Sequence, residues 1–496
     1  MSEPADLTVG QLLDAYRARR VSPVEALESC LGRMERLEPM VGAVLTLCVD
    51  NAYRQAEEAA RRWSAGKPRP LEGIPYGLKD IIETAGIRTT GGSRIYEFHV
   101  PTVTASLAAR LDDAGAVLVA KLQTFEFAAG ATAVTSNPWD ITRTAAGSSS
   151  GSAAALAARE LPLTVGTDTG GSVAIPASFC GITGLKPTFG RIPRHGIFPV
   201  SWTLDHACPM ARTAYDAALA LAVMAGHDPR DPSSATVPVD DYVTSLSSGV
   251  KGMRIGVPVD WFFDVCDPAI AAAAQQAVRT LESEGAIVVE IGLPSTHKVD
   301  LHAMENTIIY AELASLHSAT LDRFEEYGPE FRKLLARAQF VQAVDYLNAL
   351  RARHLIQQDF EAAFEIVDVI LVPGAITVAP RHDHLVADLG DVQQPWVDVV
   401  SRTTAIFNMT GIPSISIPSG FSGDGLPIGI QIAARPYDEK SVLRAAHTFQ
   451  HLTDHHERVP ELVARDSEAD HAPWSRVDRT LPDERAISTV TQDSSW

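Results

Sequence analysis

Hydrophobic residues along the chain follow two patterns, one of helical spacing and one of short runs that are apolar throughout. Residues 104–115 have helical spacing and are followed at once by the apolar run AVLVA at 116–120. The same order, a helix and then an apolar strand, recurs over 268–291 and over 360–372. Because strands that are apolar on both faces are typical of a parallel sheet covered by helices, the pattern predicts an α/β fold. Further strands are predicted at 73–82, 412–417 and 427–433, and a further helix at 439–451.

The chain has 496 residues, enough for about three domains, but its composition suggests one large unit with two flanking segments. Residues 1–65 contain the helix-start sequence SPVE at 22–25, and apolar residues at helical spacing follow it. We therefore expect an N-terminal helical segment there. Residues 66–451 hold the predicted strands, with a helical elaboration around 300–365 that contains few Gly or Pro. Residues 452–496 are polar without a clear period and are expected to form an irregular tail.

Composition and charge exclude several classes of protein. Hydrophobic residues make up 46% and charged residues 21% of the chain, close to globular averages, so it is neither wholly disordered nor fibrous. The formal net charge is -19, from 61 acidic and 42 basic residues. Because a surface that binds phosphate backbones or anionic lipids is normally basic, we expect neither a nucleic-acid partner nor a membrane partner.

Cysteine and histidine usage points to a cytoplasmic protein without a metal. The five cysteines are odd in number, widely spaced and without a C-x-x-C pair, which argues against a disulfide framework or a zinc knuckle. The first ten residues do not resemble a signal peptide, and no apolar run is long enough to span a membrane. The H-x-H at 382–384 and the pair at 455–456 lack a third ligand, so we expect neither metal nor cofactor.

Small residues dominate between 145 and 196, and three kinds of chemistry compete to explain them. Residues 147–151 read GSSSG, which fits the G-x-S-x-G elbow of α/β-hydrolases with Ser149 as nucleophile. That elbow needs a buried strand before it, and the preceding NPWDITRT at 137–144 is polar and contains Pro. Asp168 begins a D-T-G triplet, as in aspartic proteases, but no second triplet supplies the other carboxylate that such enzymes need.

The third kind of chemistry is a serine activated by a lysine. Ser172 ends the sequence GTDTGGS at 166–172, where two glycines let backbone N–H groups turn toward one point, as an oxyanion hole requires. Lys79 ends the apolar stretch GIPYGLK at 73–79, and burial can lower the pKa of a lysine enough to make it a base. Spacing alone leaves two structural alternatives open, a flexible Gly/Ser linker and a buried ion pair between Lys79 and Asp80. The apolar segments that follow the loop weaken the linker interpretation.

Residues 146–191 resemble the signature of the amidase-signature hydrolases. The matching sequences are GSS at 147–149, GTDTGGS at 166–172, and IPA, FCG and GLKPT between 175 and 188. The resemblance runs from about residue 5 to about residue 450 and is weakest between 230 and 400. Members of this family hydrolyse amides, and sometimes esters or carbamates, through a Ser–cis-Ser–Lys triad. The resemblance implies the amidase-signature fold, a large mixed, mostly parallel central β-sheet covered by helices on both faces, with 66–451 as its catalytic domain.

The resemblance also implies roles for individual residues. Carried over by position, Ser172 resembles the nucleophile, Ser148 the bridging serine that follows a cis peptide bond, and Lys79 the base. The backbone N–H groups implied as oxyanion donors are those of Thr169, Gly170, Gly171 and Ser172. Supporting roles are implied for Ser149 and Asp168. A substrate pocket is expected around Phe125, Ala129 and Gly130.

The chain departs from the family pattern at three positions. Ala146 and Ser150 each replace a glycine, and we expect them to cause only a local adjustment of the backbone. Ala174 stands where many members have an arginine. The loss of that arginine is expected to leave Asp168 without a partner. It also argues against the glutamine-type substrate of tRNA-amidotransferase subunits.

These features lead to three hypotheses for the function. The first is a stand-alone amidase that cleaves the C–N bond of a small-molecule carboxylic amide, or an ester, carbamate or urea-type substrate, through an acyl-enzyme on Ser172. A homodimer is compatible with it. The alternative is the glutamine-amidase subunit of a tRNA-dependent amidotransferase, whose partner protein would hold the tRNA. The third is an inactive scaffold that keeps the fold, and the intact Lys79, Ser148 and Ser172 argue against it.

Overall fold

A mixed sheet of eleven strands runs through the part of the protein that the computed structural model describes, residues 3–130, 134–259, 261–264, 266–388, 393–396 and 399–469. The strands in chain order are β1 (Val44–Leu47), β2 (Pro75–Lys79), β3 (Val117–Leu122), β4 (Ser136–Asn137), β5 (Asp140–Thr144), β6 (Leu163–Asp168), β7 (Thr183–Lys186), β8 (His206–Ala211), β9 (Arg254–Pro258), β10 (Ile287–Ile291), β11 (Val369–Pro373), β12 (Val386–Asp388), β13 (Gln393–Pro395), β14 (Ser414–Phe421) and β15 (Pro427–Ala434). The order in the large sheet is β1-β3-β2-β6-β8-β7-β14-β15-β11-β9-β10, and β4 with β5 and β12 with β13 form two small separate pairs.

Strand direction changes within the large sheet. β2 lies parallel to both β3 and β6, and β9 lies parallel to both β10 and β11. The other six neighbouring pairs are antiparallel, because β8 returns between β6 and β7 and the β14–β15 hairpin occupies the middle of the sheet. The predicted mixed α/β sheet is confirmed, with more antiparallel neighbours than the sequence led us to expect.

Helices pack on both faces of the sheet. In β3, Leu118 belongs to one buried cluster, whereas Val117 and Val119 belong to another. Because side chains alternate between the two faces of a strand, both faces are covered, as the apolar runs predict. The α-helices are α1 (Val9–Arg17), α2 (Pro23–Val41), α3 (Val49–Ser64), α4 (Ser106–Asp113), α5 (Ser150–Ala157), α6 (Ala174–Cys180), α7 (Ala214–Met224), α8 (Pro268–Ser283), α9 (Leu301–Leu316), α10 (Pro329–Ala338), α11 (Ala343–Ile366), α12 (Ala405–Thr410), α13 (Glu439–Leu452) and α14 (Glu461–Glu468).

The helix–strand units predicted from the apolar pattern are present. α4 is followed by β3, α8 by β10 and α11 by β11. The predicted helix start at Ser22 is also formed, since its N–H donates to Glu25 Oε2 at 2.7 Å and the N–H of Glu25 donates to Ser22 Oγ at 3.2 Å. The predicted helical elaboration consists of α9, α10 and α11.

The two flanking segments both attach to the central unit. The first 65 residues form α1, α2 and α3, but β1 between α2 and α3 pairs with β3 and so joins the large sheet. In the tail, α14 is held on α2, where Arg36 donates to Asp466 through two hydrogen bonds of 2.6 Å and 2.8 Å. Residues 470–496 lie outside the described residues, and the division into domains stays a prediction. Within the described ranges, every helix is too short or too polar to cross a membrane.

The fold brings two small-residue loops to one edge of the sheet. β2 and β6 are parallel neighbours, so their carboxyl ends meet at the same edge. Lys79 is the last residue of β2, and Asp168 is the last residue of β6. The loop that precedes α5 lies against the loop that leads from β6 into α6, because the N–H of Ser149 donates to the carbonyl oxygen of Ser172 at 3.2 Å.

Candidate active site

Lys79 is fully buried and is surrounded by hydroxyl groups. Its Nζ lies 2.7 Å from Ser148 Oγ, 3.0 Å from Ser149 Oγ and 2.9 Å from Thr167 Oγ1. Burial lowers the pKa of Lys79 to about 7, against a smaller upward effect of the Asp168 carboxylate. A large fraction of the amine is therefore neutral near pH 7 and can accept a proton.

The ion pair between Lys79 and Asp80, which the sequence left open, is not formed. Oδ1 of Asp80 lies 3.2 Å from Lys121 Nζ, and Oδ2 accepts hydrogen bonds from the N–H and the hydroxyl of Thr90. Lys79 and Asp80 are consecutive at the end of β2, so their side chains point to opposite faces of the sheet. Lys121 therefore has a buried counter-ion, whereas Lys79 has only neutral partners.

The serine loop before α5 packs closely around Lys79. The peptide bond between Gly147 and Ser148 is cis. A Cβ on Gly147 would overlap the ring of Phe125, so this predicted pocket residue packs directly on the serine loop. Oγ of Ser149 donates to the carbonyl oxygen of Thr167 at 3.0 Å and accepts from its N–H at 3.2 Å. Ser149 thus joins the serine loop to the end of β6, beside the lysine.

Ser172 lies in the second loop, between the end of β6 and the start of α6. Ser172 and Gly170 are half-buried, whereas Gly171 between them is buried. The Ser172 hydroxyl forms no hydrogen bond to the described residues, so the structure joins Lys79 to Ser148 but does not yet join Ser148 to Ser172. Catalytic hydrogen bonds are often long until substrate is bound. The geometry therefore supplies the link from Lys79 to Ser148, and the link from Ser148 to Ser172 stays a prediction.

Asp168 holds this second loop in shape. Its Oδ1 accepts the N–H of Gly171 at 2.7 Å, and its Oδ2 accepts those of Val173 at 2.7 Å and Ala174 at 3.1 Å. The expectation that Asp168 lacks a partner is therefore wrong, because three backbone N–H groups satisfy the carboxylate without an arginine. A carboxylate bonded in this way fixes the backbone on both sides of Ser172.

The contacts of Asp168 also bear on the predicted oxyanion hole. The N–H of Gly171 is engaged by Asp168. The N–H groups of Thr169, Gly170 and Ser172 donate to no acceptor in the described part of the chain. These three, and not Gly171, are the donors that the loop leaves available for an oxyanion.

Two residues that the sequence did not indicate support the loop from outside. Oγ1 of Thr169 donates to Asp205 Oδ1 at 2.7 Å, and Oγ1 of Thr404 donates to the carbonyl oxygen of Gly170 at 2.8 Å. Thr404 also fills the space that a side chain on Gly171 would need, and Gly171 has a φ of 120°. No motif marks Asp205 or Thr404, so only the fold reveals their position.

A cavity of about 220 Å³ shares one wall residue, Thr167, with the surroundings of Lys79. Thr167 lines it, together with Phe198, Trp202 and Asp205. Because Thr167 also contacts Lys79, the cavity reaches the wall of the predicted active site.

The other predicted pocket residues face the helical elaboration. Ala129 packs against the main core, and Gly130 faces α10, where Leu334 lies 3.9 Å from the position of a Cβ. Their role in substrate binding stays a prediction.

Within the described ranges, no three His, Cys, Asp or Glu side chains are arranged to hold a metal ion. Nε2 of His382, in the H-x-H sequence, lies 3.5 Å from Ser136 Oγ.

Comparison with known proteins points to one family. The family model described as Amidase matches residues 25–443. A glutamyl-tRNA(Gln) amidotransferase subunit of Geobacter sp. (strain M21) is 40% identical over 481 residues, covering 91% of this chain and 98% of the relative. The protein of the same name from Chloroflexus aggregans is 38% identical and covers 93% of this chain and 100% of the relative.

Solved structures agree with that family. The inhibitor-bound structure of a vestigial protein complex, which reveals the evolutionary origins of an s-triazine catabolic enzyme, has a TM-score of 0.85 at 32% identity and covers 90% of this chain and 98% of its own. A 6-aminohexanoate cyclic dimer hydrolase with its substrate has a TM-score of 0.82 at 27% identity. The match covers 92% of this chain and 99% of the hydrolase chain. The glutamyl-tRNA(Gln) amidotransferase subunit from Thermotoga maritima has a TM-score of 0.73 at 28% identity. The match covers 90% of this chain and 94% of the subunit.

These comparisons correct the expectation about partners. From the sequence we expected a small-molecule amide, no nucleic acid and at most a second copy of the chain. The relatives are named as one subunit of an enzyme whose name includes a tRNA, and one similar structure is a protein complex. The expectation is wrong because net charge describes the whole surface and does not report on a single docking face.

The family assignment rests on three findings. The Amidase model matches well over half of the chain. Relatives about 40% identical are covered over nearly their whole length, and solved structures share the fold over 90% of the chain. The chain therefore belongs to the amidase-signature family of C–N-cleaving enzymes.

Proposed function

We propose that this chain hydrolyses a carboxylic amide through an acyl-enzyme on Ser172. The observation that carries the proposal is the buried Lys79, whose Nζ is bonded to Ser148 Oγ at 2.7 Å and has no carboxylate within ion-pair distance among the described residues. Burying an amine without a counter-ion costs folding free energy. An inactive scaffold gains nothing from that cost, whereas a general base needs it, because burial is what makes the amine neutral.

In the proposed reaction, a proton passes from Ser172 to Ser148 and from Ser148 to Lys79. The neutral amine of Lys79 accepts the hydroxyl proton of Ser148, which takes the proton of Ser172. Oγ of Ser172 then adds to the substrate carbonyl carbon, and the N–H groups of Thr169 and Gly170 stabilise the oxyanion. The proton returns through Ser148 to the leaving nitrogen as the C–N bond breaks. Water, deprotonated by the same route, hydrolyses the acyl-enzyme and restores Ser172.

The rate is expected to rise with pH and to level off above pH 7. Only the neutral amine of Lys79 accepts a proton, and burial places its pKa at about 7, so kcat/KM should fall about tenfold per pH unit well below that value. The measurement is kcat/KM for one amide from pH 5 to pH 9, with circular dichroism at each pH to show that the protein stays folded. A profile that is flat across pH 7, or that declines above it, would contradict the assignment of Lys79 as base.

A second candidate narrows the substrate to glutamine. The relatives at 38% to 40% identity over 98% to 100% of their length are named as glutamyl-tRNA(Gln) amidotransferase subunits, which supports the glutamine-amidase hypothesis over a stand-alone amidase. Ala174 argues in the other direction, because many family members have an arginine there.

A cytoplasmic location, supported by five free cysteines, stays a prediction.

The two candidates differ in what the isolated chain cleaves. Ammonia release from glutamine should be measured for the chain alone and with the partner subunits of an amidotransferase. A panel of aryl amides, aliphatic amides, carbamates and ureas should be tested in parallel. Glutamine hydrolysis in either form of the experiment supports the amidotransferase hypothesis. Hydrolysis of simple amides, with glutamine inert in both forms, rejects that hypothesis and leaves the stand-alone amidase.

A further inference from the structure

A buried carboxyl from the helical elaboration reaches the proposed oxyanion loop. Glu305 lies on α9, and only 4% of the residue is exposed. A Cβ on Gly170 would overlap its Oε1, so the carboxyl occupies the space directly beside the α-carbon of that glycine. Because Gly170 lies two residues before Ser172, Glu305 packs against the loop that carries the proposed nucleophile.

The helix that carries Glu305 is fixed to the catalytic core. Glu312, two turns further along α9, accepts hydrogen bonds from the hydroxyls of Ser201 and Thr203 and, at 2.9 Å, from that of Tyr346. The same segment of chain supports Asp205, whose Oδ2 accepts the N–H of Ser201 at 3.0 Å. The position of Glu305 is therefore set by several bonds that it does not make itself.

Glu305 differs from the structural carboxylates around it. Asp168 accepts three backbone N–H groups, and Glu312 and Asp205 each accept at least three hydrogen bonds. Glu305 accepts a single long bond, 3.3 Å from Ser401 Oγ. Buried carboxyl groups in folded proteins are normally satisfied more fully than this. Glu305 therefore has unused hydrogen-bonding capacity beside the loop that carries the proposed nucleophile.

The charged group that acts on Glu305 is the nearby Asp168 carboxylate. No Lys, Arg or His of the described residues lies within ion-pair distance of its carboxyl. Burial, with a smaller contribution from the nearby Asp168 carboxylate, raises the pKa of Glu305 to about 8 against the lowering effect of the Ser401 hydrogen bond. A cationic group placed beside Glu305 would favour its ionised form and pair with it, whereas an anionic group there would be repelled by the nearby Asp168 carboxylate.

We propose that Glu305 is the specificity-determining residue of this site and binds an ammonium group on the acyl part of the substrate. The inference rests on the proposed amide hydrolysis at Ser172. The leaving nitrogen must face the relay of Lys79 and Ser148 that protonates it. Glu305 contacts Gly170 and Ser401 and neither relay residue, which places it on the acyl side. The substrate class is thus an amide whose acyl chain carries a protonated amine.

The test compares matched pairs of substrates. Amides of ω-amino acids with one to five methylenes are set against unbranched alkyl amides of equal length, and kcat/KM is measured for each. We expect the wild type to prefer the best amino amide by about tenfold to a hundredfold, the value of a hydrogen bond to a charged group. Glu305→Gln should lose most of that preference and keep turnover of the alkyl amide within about threefold. Glu305→Asp, which retains the charge, should keep part of the preference.

Glu160 provides a matched control. It is also fully buried, and burial and Glu38 raise its pKa, but it lies in the turn after α5, beside Glu38 of α2. Glu160→Gln should leave the preference unchanged. A wild type that cleaves alkyl and amino amides equally well, or a Glu305→Gln variant that keeps the full preference, would overturn the role of Glu305 alone. A wild type that cleaves no amide of either kind would instead count against the proposed hydrolysis.

A second measurement needs no variant. Alkylammonium ions should inhibit the wild type competitively, and alkyl alcohols of the same length should inhibit at least about tenfold more weakly. Equal inhibition by the two series would overturn the proposal even if Glu305→Gln did not fold.

Discussion

Replacing Ser172 with alanine is expected to lower kcat by about four orders of magnitude or more. The loss is large because Ser172 is the proposed nucleophile, and the backbone N–H groups beside it have no acceptor among the described residues. Ser148 and Ser149 are buried and bonded to Lys79, so they face the base. The measurement is ammonia release from a cleaved amide, together with labelling by a fluorophosphonate probe and identification of the labelled residue by mass spectrometry.

The control for this variant is Ser178→Ala. Ser178 is a buried serine of α6, six residues further along, whose hydroxyl donates to the carbonyl oxygen of Ala174 at 3.1 Å. Its replacement removes a hydroxyl of the same kind from the same region and should leave labelling unchanged. If Ser172→Ala is labelled as fast as the wild type, the nucleophile is another residue.

The strands with long apolar runs could be predicted from the sequence, and the others could not. The apolar run AVLVA at 116–120 predicts a strand, and the structure has β3 at Val117–Leu122. β8, by contrast, reads HACPMA and contains Pro209, a residue that argues against a central strand. It is a strand because it pairs with β6 on one side and β7 on the other. Such long-range pairing overrides local preference and leaves no local signal.

The candidate site shows the same division. Lys79, Ser148 and Ser172 lie within short motifs, where the residue types alone limit the chemistry. Glu305 and Thr404 come from elements more than a hundred residues away, and each has an ordinary sequence context. Only the folded chain brings them to Gly170 and Gly171.

The alternation of side chains along a strand argues against an ion pair between Lys79 and Asp80 even before the structure is known. Lys79 and Asp80 are adjacent in sequence, which suggested an ion pair. Neighbouring residues of a strand point to opposite faces, so a lysine on the adjacent strand is the better partner for Asp80. The structure has that lysine at Lys121, in register with Leu78 on β2.

Replacing Lys79 with methionine is expected to lower kcat by about three to four orders of magnitude while the fold is kept. Methionine has a similar length and no amine, so the serine relay loses the group that takes its proton. The measurement is kcat for a cleaved amide, with the labelling rate of Ser172 as a second readout. The control is Lys186→Met, because Lys186 is equally buried, burial lowers its pKa to about 8, and its Nζ donates to the carbonyl oxygen of Ile412 at 2.5 Å. A Lys79→Met enzyme with more than about a tenth of the wild-type kcat would show that another group is the base.

The same variant tests the physical origin of the base. In the wild type the pKa of Lys79 is about 7 in the folded protein and 10.5 in the unfolded chain. Between these values the unfolded chain binds more protons, so this residue makes the folded state more stable as the pH rises. Lys79→Met has no such dependence, and its free energy of unfolding relative to the wild type should fall by about 2 kcal/mol from pH 7 to pH 9. Urea unfolding at the two pH values measures the difference. If the variant and the wild type differ in free energy of unfolding by the same amount at pH 7 and at pH 9, burial does not lower the pKa of Lys79. The proposed relay would then lose its base.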